Sequence, residues 1–222
     1  LTEASLWEKF GPVERLERLV TVASLPSYLE VKIRLSYCAE SLEEVEIRLS
    51  KAEDMIVSSL GEWIYGKDND TLEGKVGELF LENNKTLAVA ESCTGGLIGH
   101  RLTQTPGSSN YFLEGVVAYS NEAKSSRLEV SPSLIRKYGA VSEEVALAMA
   151  DGVRKTSGAD IGLSVTGVAG PEASNNKPVG TVFIAISDEE KSDCKYFCFY
   201  SDRSRNKERS AQAGLDLQIG RA

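Results

Sequence analysis

Leu87, Ala88, Val89 and Ala90 form an apolar run that breaks into Glu91-Ser92-Cys93-Thr94-Gly95-Gly96 and resumes as Leu97-Ile98-Gly99-His100. The run is short enough for a buried strand, and the two glycines place a tight turn between it and a helix. A strand that turns directly into a helix is the unit from which layered α/β folds are built. Helix starts leave backbone N–H groups free, and glycine lets a substrate approach that backbone closely. Ser92 is therefore a candidate nucleophile or phosphate ligand.

The same alternation recurs from Thr71 onward. The pattern predicts a helix over 71–83, a strand over 86–90, a helix over 94–104 and a strand over 113–119. A helix over 142–156 opens at Ser142, with Glu143 and Glu144 in its first turn, where negative charge suits the helix dipole. Strands over 160–166, 179–187 and 193–200 and a last helix over 203–219 complete the series. The polar turn Ser187-Asp188-Glu189-Glu190-Lys191 joins the last two strands as a hairpin, so the expected fold class is an α/β sandwich on a mixed sheet.

Upstream, Leu29, Val31, Ile33 and Leu35 alternate with Glu30, Lys32 and Arg34, the period of a strand with one wet face. Ser41 and Glu44 have capping-box spacing, and Leu42, Val45, Leu49, Ala52, Ile56 and Leu60 follow as a helical stripe. Gly61 and the polar connector Gly66-Lys67-Asp68-Asn69-Asp70 end this unit. The expected division is a small α+β domain over 1–70 and the α/β domain over 71–222.

Composition narrows the partners. The chain has 222 residues, 41% hydrophobic and 26% charged, with a formal net charge of −8. That charge opposes wholesale binding of a nucleic-acid backbone, and no apolar run approaches the roughly 20 residues of a membrane-spanning helix. Neither nucleic acid nor membrane is an expected partner. Cys38, Cys93, Cys194 and Cys198 lack metal-ligand or disulfide-framework spacing, which with one histidine predicts reduced thiols, a cytoplasmic protein and no metal site. The chain begins at Leu1 and has no signal peptide, so a piece of a longer protein is expected.

A nucleophilic Ser92 needs a base. His100 is the only histidine, and a helix over 94–104 would carry it about 9 Å along the axis from its start and point it away, which argues against a Ser-His-Asp triad. A lysine in a desolvating pocket can replace it. Lys124 is the candidate: it follows the apolar stretch that stops at Tyr119, so both emerge near one strand end. In Asn-Glu-Ala-Lys a lysine is ordinarily a solvated helix residue. Thr166-Gly167-Val168-Ala169-Gly170-Pro171 makes a third strand-end loop, and ligands in open α/β sheets sit beyond such ends. The loops that carry Thr94, Gly95 and Gly96, then Thr166, Gly167 and Gly170, are thus expected to share one cleft, although each alone reads as a tight turn.

Cys93 at a helix start is a rival nucleophile, with a packed small side chain as its default role. Glu91 either orients a neighbour or caps backbone groups. Asp202-Arg203, with Arg205, Lys207 and Arg209 behind, can neutralise a phosphate or form a solvated helix face.

Taken together, these stretches resemble the CinA (competence/damage-inducible protein) family, whose C-terminal domain is a nicotinamide-nucleotide amidase module. Pro106-Gly107-Ser108-Ser109, Val116 to Lys124, Gly139 to Ala146 and Lys177 to Val182 add to the Ala90–Gly96 match in the family's order, over residues 72 to 220. Residues 1 to 70 resemble the family's linker domain, which is KH-like; they contain no Gly-x-x-Gly and are not basic, so RNA binding does not follow. The resemblance implies hydrolysis of nicotinamide mononucleotide to nicotinic acid mononucleotide and ammonia, without a cofactor. It puts catalytic roles on Ser92, Tyr119 and Lys124, with Ser92 attacking the carboxamide carbon and Lys124 and Tyr119 handling the proton. Substrate contacts are expected from Glu91, Asn121 and Arg203 beside the loop residues above, and backbone N–H groups around Thr94 to Gly96 are expected to hold the oxyanion. It further implies a homodimer or higher homo-oligomer. This chain departs from the family's pattern at Glu172-Ala173-Ser174, at Ser201 and at Asn206, where a branched apolar residue is usual. Two alternatives stand beside the amidase: a nucleotide-binding regulatory module without turnover, and a spacer or dimerisation role for residues 1 to 70.

Overall fold

A computed structural model describes residues 2–174, 177–218 and 220. The chain divides into two compact units, one ending at Asp68 and the other starting at Asn69.

In the first unit, α1 (Glu3–Phe10) starts from a capping box formed by Thr2 and Ser5, and the single turn α2 (Glu14–Glu17) follows. Strands β1 (Thr21–Pro26) and β2 (Val31–Ser36) pair antiparallel, and α3 (Leu42–Leu60) packs its inner stripe on Leu6, Phe10, Leu16 and Val20. The alternation in β2 places Val31, Ile33 and Leu35 against this core and leaves Lys32 and Arg34 exposed. Leu29, expected in that strand, instead lies in the turn closed by Ser27 N–H donating to Glu30 O. Ser41 caps α3 through the Glu44 N–H, but the Glu44 carboxylate accepts from Tyr37 and pairs with Arg48, so the capping box is half made. Ala52, Ile56 and Leu60 are buried, while Leu42 at the first helical position is exposed. The elements α1, α2 and β1 were not anticipated from the sequence, although α1 has its capping box and presents Leu6 and Phe10 one turn apart to the core.

The second unit is a five-stranded sheet in the order β4-β3-β5-β6-β7, built from β3 (Leu87–Glu91), β4 (Phe112–Val117), β5 (Ile161–Gly167), β6 (Thr181–Ser187) and β7 (Ser192–Cys198). Strand β3 runs parallel to β4 and β5, whereas β6 and β7 add antiparallel. This is the mixed sheet the hairpin signal predicted. One face carries α6 (Asn121–Leu128), α7 (Pro132–Tyr138) and α8 (Glu143–Ser157), whose core joins Leu128, Ile135, Val145 and Met149 to Ala88 and Ala90. Helices α4 (Leu72–Glu82), α5 (Leu97–Thr103) and α9 (Arg203–Gln218) belong to the other layer, where Gly214 of α9 packs on Ile98, Leu163 and Val165. Position 219, expected to end the last helix, lies outside the described residues.

Two local corrections matter for the site. Helix α5 begins at Leu97 rather than 94, because Gly95 (φ 64°) and Gly96 (φ 94°) are left-handed and cannot extend a right-handed helix. Strand β4 ends at Val117 rather than 119, which frees Tyr119 from the sheet. The helix α6 was not anticipated, and its position depends on a close contact: a methyl group on Gly152 of α8 would run into the Leu128 carbonyl oxygen at the end of α6. Gly152→Ala is expected to lower unfolding free energy by about 2 kcal/mol or more, read from the urea midpoint. An unchanged midpoint would mean that α6 does not depend on that approach.

Candidate active site

The turn after β3 is held from both sides. Strand β3 is buried throughout because both its neighbours are parallel strands under helices. The ladder continues past its end: Ser92 N–H donates to Val165 O, and Ala118 N–H donates to Glu91 O. Ser92 is thereby fixed at the C-terminal ends of three adjacent strands, the position at which open α/β sheets bind ligands.

Glu91 resolves as a cap. Its Oε2 accepts from the N–H groups of Gly96 and Ile98 at 3.0 and 3.1 Å, and its Oε1 accepts from Gly99 at 2.9 Å. The buried carboxylate satisfies the orphan donors of α5, so Glu91 faces the protein rather than a substrate. Two of the amides expected to bind an oxyanion are also occupied, Gly96 by Glu91 and Gly95 by Ser92 O. The Thr94 N–H lies by the Cys93 thiol. The hydroxyl Oγ1 of Thr94 is buried without a hydrogen-bond partner among the described residues.

Lys124 is the residue that the tertiary structure transforms. Ser120 caps α6 by accepting from the Ala123 N–H, and one turn in, Lys124 points inward rather than to solvent. It is 1% exposed. Its Nζ lies 2.8 Å from Ser92 Oγ and donates to Ala118 O at 2.9 Å. Among the described residues it makes no ion pair, and burial lowers its pKa from the ordinary lysine value. An amine that is buried without a carboxylate favours the neutral form, which can accept a proton. The solvated-helix reading of Asn-Glu-Ala-Lys is overturned.

Tyr119 behaves differently. Its side chain is 60% exposed, and its hydroxyl accepts from Arg203 Nη2 at 2.8 Å. No bond joins it to Ser92 or Lys124 among the described residues. Arg203 also donates through Nη1 to Gly170 O, so this guanidinium ties the β4 end to the loop after β5. Asn121 is exposed at the start of α6. Thr166, by contrast, turns its hydroxyl into the fold and donates to Ala140 O at 2.8 Å. Gly167 lies against the Thr181 carbonyl and Val182, a structural approach rather than a ligand contact.

Burial pushes the Cys93 thiol up to about 12, so it packs as a neutral group and the rival nucleophile loses its chemical basis. His100 is exposed on α5 and takes no part. Among the described residues no cluster of His, Cys, Asp and Glu could hold a metal ion, and no helix is long and apolar enough to cross a membrane.

Asn206 is a residue whose role the sequence concealed. It is buried, and its Nδ2 donates to Ala169 O at 3.0 Å and to Ser201 O at 2.9 Å, pinning the start of α9 to the loop after β5. The one signal was a polar residue where the CinA pattern has an apolar one.

Residues 69–220 match the model of the CinA C-terminal domain, and residues 1–66 match that of the damage-inducible protein CinA KH domain. A CinA-like protein of Cytophaga hutchinsonii is 44% identical over 197 residues, covering 88% of this chain and 47% of its own length. One of Geobacter metallireducens is 41% identical over 217 residues, covering 97% of this chain and 52% of its own. The chain thus spans about half the length of the curated relatives it matches. Among solved structures, the competence/damage inducible protein of Agrobacterium tumefaciens superposes with a TM-score of 0.66 at 32% identity, covering 71% of this chain and 97% of that one. The competence damage-inducible protein A of Klebsiella pneumoniae gives 0.65 at 31%, over 67% and 93%. With both units matched in order, the chain belongs to the CinA family.

Proposed function

We propose that the second unit is an amidohydrolase that converts nicotinamide mononucleotide to nicotinic acid mononucleotide and ammonia. The observation that carries this reading is the buried Ser92–Lys124 pair, 2.8 Å apart, with the amine's pKa lowered by desolvation. Family membership supports the substrate class.

In this reading neutral Lys124 removes the Ser92 proton as Oγ attacks the carboxamide carbon. The ammonium formed on Lys124 then delivers that proton to the departing nitrogen, and ammonia leaves. Water attacks the resulting nicotinoyl ester, Lys124 accepts its proton and passes it to the departing Ser92 Oγ, and the acid is released with serine and neutral amine restored. Ala118 O holds the Lys124 nitrogen in place throughout. Tyr119, bonded to Arg203 at the rim, is assigned to substrate contact instead of proton transfer.

Proton NMR of nicotinamide mononucleotide incubated with the chain tests the reading. Conversion to nicotinic acid mononucleotide is expected, and Ser92→Ala should reduce it by at least about 10³-fold with an unchanged circular dichroism spectrum. Binding of the nucleotide without product would overturn the amidase and leave a regulatory module.

The state of Lys124 gives a second test. Because only the neutral amine is a base, kcat/KM should rise with pH and level off above the lowered Lys124 pKa, below the ordinary 10.5. Stability carries the same sign. Between the folded pKa and 10.5 the unfolded chain binds more protons than the folded one, so wild-type stability should rise with pH across that window. Lys124→Met should lack that rise; an identical pH dependence of its denaturation midpoint would show that the amine is not desolvated.

A further inference from the structure

A carboxamide reaches the Ser92 hydroxyl only if the ring that bears it lies beside the nucleophile. Most of the surroundings offer no surface for that ring. Lys124, Cys93, Thr94 and Thr166 are buried, and so are Val165, Val168 and Ala169 on the β5 side. The end of β4 is different. Val117, the last residue of that strand, is 50% exposed.

Its place is fixed by the same contacts that fix the site. Val117 stands in register with Glu91, so the two side chains rise from one face of the sheet. Glu91 turns in to cap α5, whereas Val117 stays uncovered. A Cβ on Gly96 would lie 3.6 Å from Val117 Cγ2, so the valine flanks the glycine turn. The next residue is held twice: Ala118 N–H donates to Glu91 O, and Ala118 O accepts from Lys124 Nζ. Val117 is therefore one residue from the atom that holds the base. With the register-paired carboxylate committed to backbone, a ring at this place meets an apolar wall and not a counter-charge. Flat ligand groups are bound by walls of that kind.

We propose that Val117 is a specificity-determining residue, packing against the ring that carries the scissile carboxamide. The identity of the ring rests on the amidase reading. Val117 touches no reacting bond, so its role belongs to affinity and KM.

Charge at position 117 tests the contact, because the ring of nicotinamide mononucleotide is a cation and its phosphate an anion. The sign of the effect reports which end of the ligand lies there. Calorimetry on Ser92→Ala protein removes turnover from the measurement. In that background Val117→Lys should weaken binding roughly tenfold or more, while Val117→Glu keeps it within about threefold or tightens it. Both variants should melt with the parent, since the position is half-exposed. With the reduced mononucleotide, whose dihydropyridine ring is neutral, the weakening by Val117→Lys should disappear. Val117→Ala, the milder change, should weaken both ligands about three- to tenfold. Tighter binding by Val117→Lys and weaker by Val117→Glu for both ligands would place the phosphate at this wall and overturn the proposal. Equal affinity in all three variants, or no binding at all, overturns it too.

Kinetics with Ser92 intact separate this inference from the amidase. Val117→Ala should raise KM for nicotinamide mononucleotide by about the same factor with kcat within about twofold. Charge-dependent binding without turnover by wild type would remove the amidase and keep the ring contact. Ser92-dependent turnover indifferent to Val117 would do the reverse.

Discussion

The burial of one amine organises the second unit. Lys124 lies on a helix whose other charged residues, Glu122 and Arg127, are exposed, yet its nitrogen is enclosed between Ser92 Oγ and Ala118 O. Removing an ammonium from water without a carboxylate is costly, and the neutral form avoids most of that cost. Three elements have to agree for this to happen. Strand β3 must end at Glu91, β4 must release its chain at Ala118, and α6 must sit close enough to α8 for its inner face to reach the strand ends. The Gly152 contact with Leu128 O provides the last of these.

The neighbouring charge shows the opposite solution. Glu91 is as buried as Lys124 and only one residue from Ser92, but its carboxylate accepts from three backbone N–H groups at the start of α5. A cap that rigid fixes the turn, and with it the Ser92 hydroxyl, before any ligand arrives. The site therefore combines a backbone-capping carboxylate with a desolvated base, and the two do not touch by any hydrogen bond among the described residues. On the outer side, Arg203 and Asn206 join the loop after β5 to α9, so the rim is tied to the same frame.

Periodicity made most of the second unit legible. The apolar run of β3, the Ser142 cap of α8 and the hairpin of β6 and β7 each rest on local signals that survive folding. Element ends were less clear where a glycine decided them, as at Gly95, Gly96 and Gly180. The first unit was half legible. The alternation of β2 and the stripe of α3 have a period, whereas β1 is recognisable mainly through its pairing with β2, and the short α1 through the contact of Leu6 and Phe10 with the core.

The sequence by itself determined the chemical inventory: a serine at a glycine-rich strand end, a lysine after another strand, a single histidine with no triad, and cations at the last helix. It could do so because residue type and local spacing are carried by the chain. Only the tertiary structure decided which groups act together. Ser92 and Lys124 are 32 residues apart, and nothing in Asn-Glu-Ala-Lys distinguishes a buried amine from a solvated one. The sequence left Glu91 open between a cap and a contact and put Thr166 among the expected substrate contacts, and only their partners show that both side chains bond to backbone. Burial and partner are properties of long-range packing, and they set whether a polar side chain supports the fold or remains free to do chemistry.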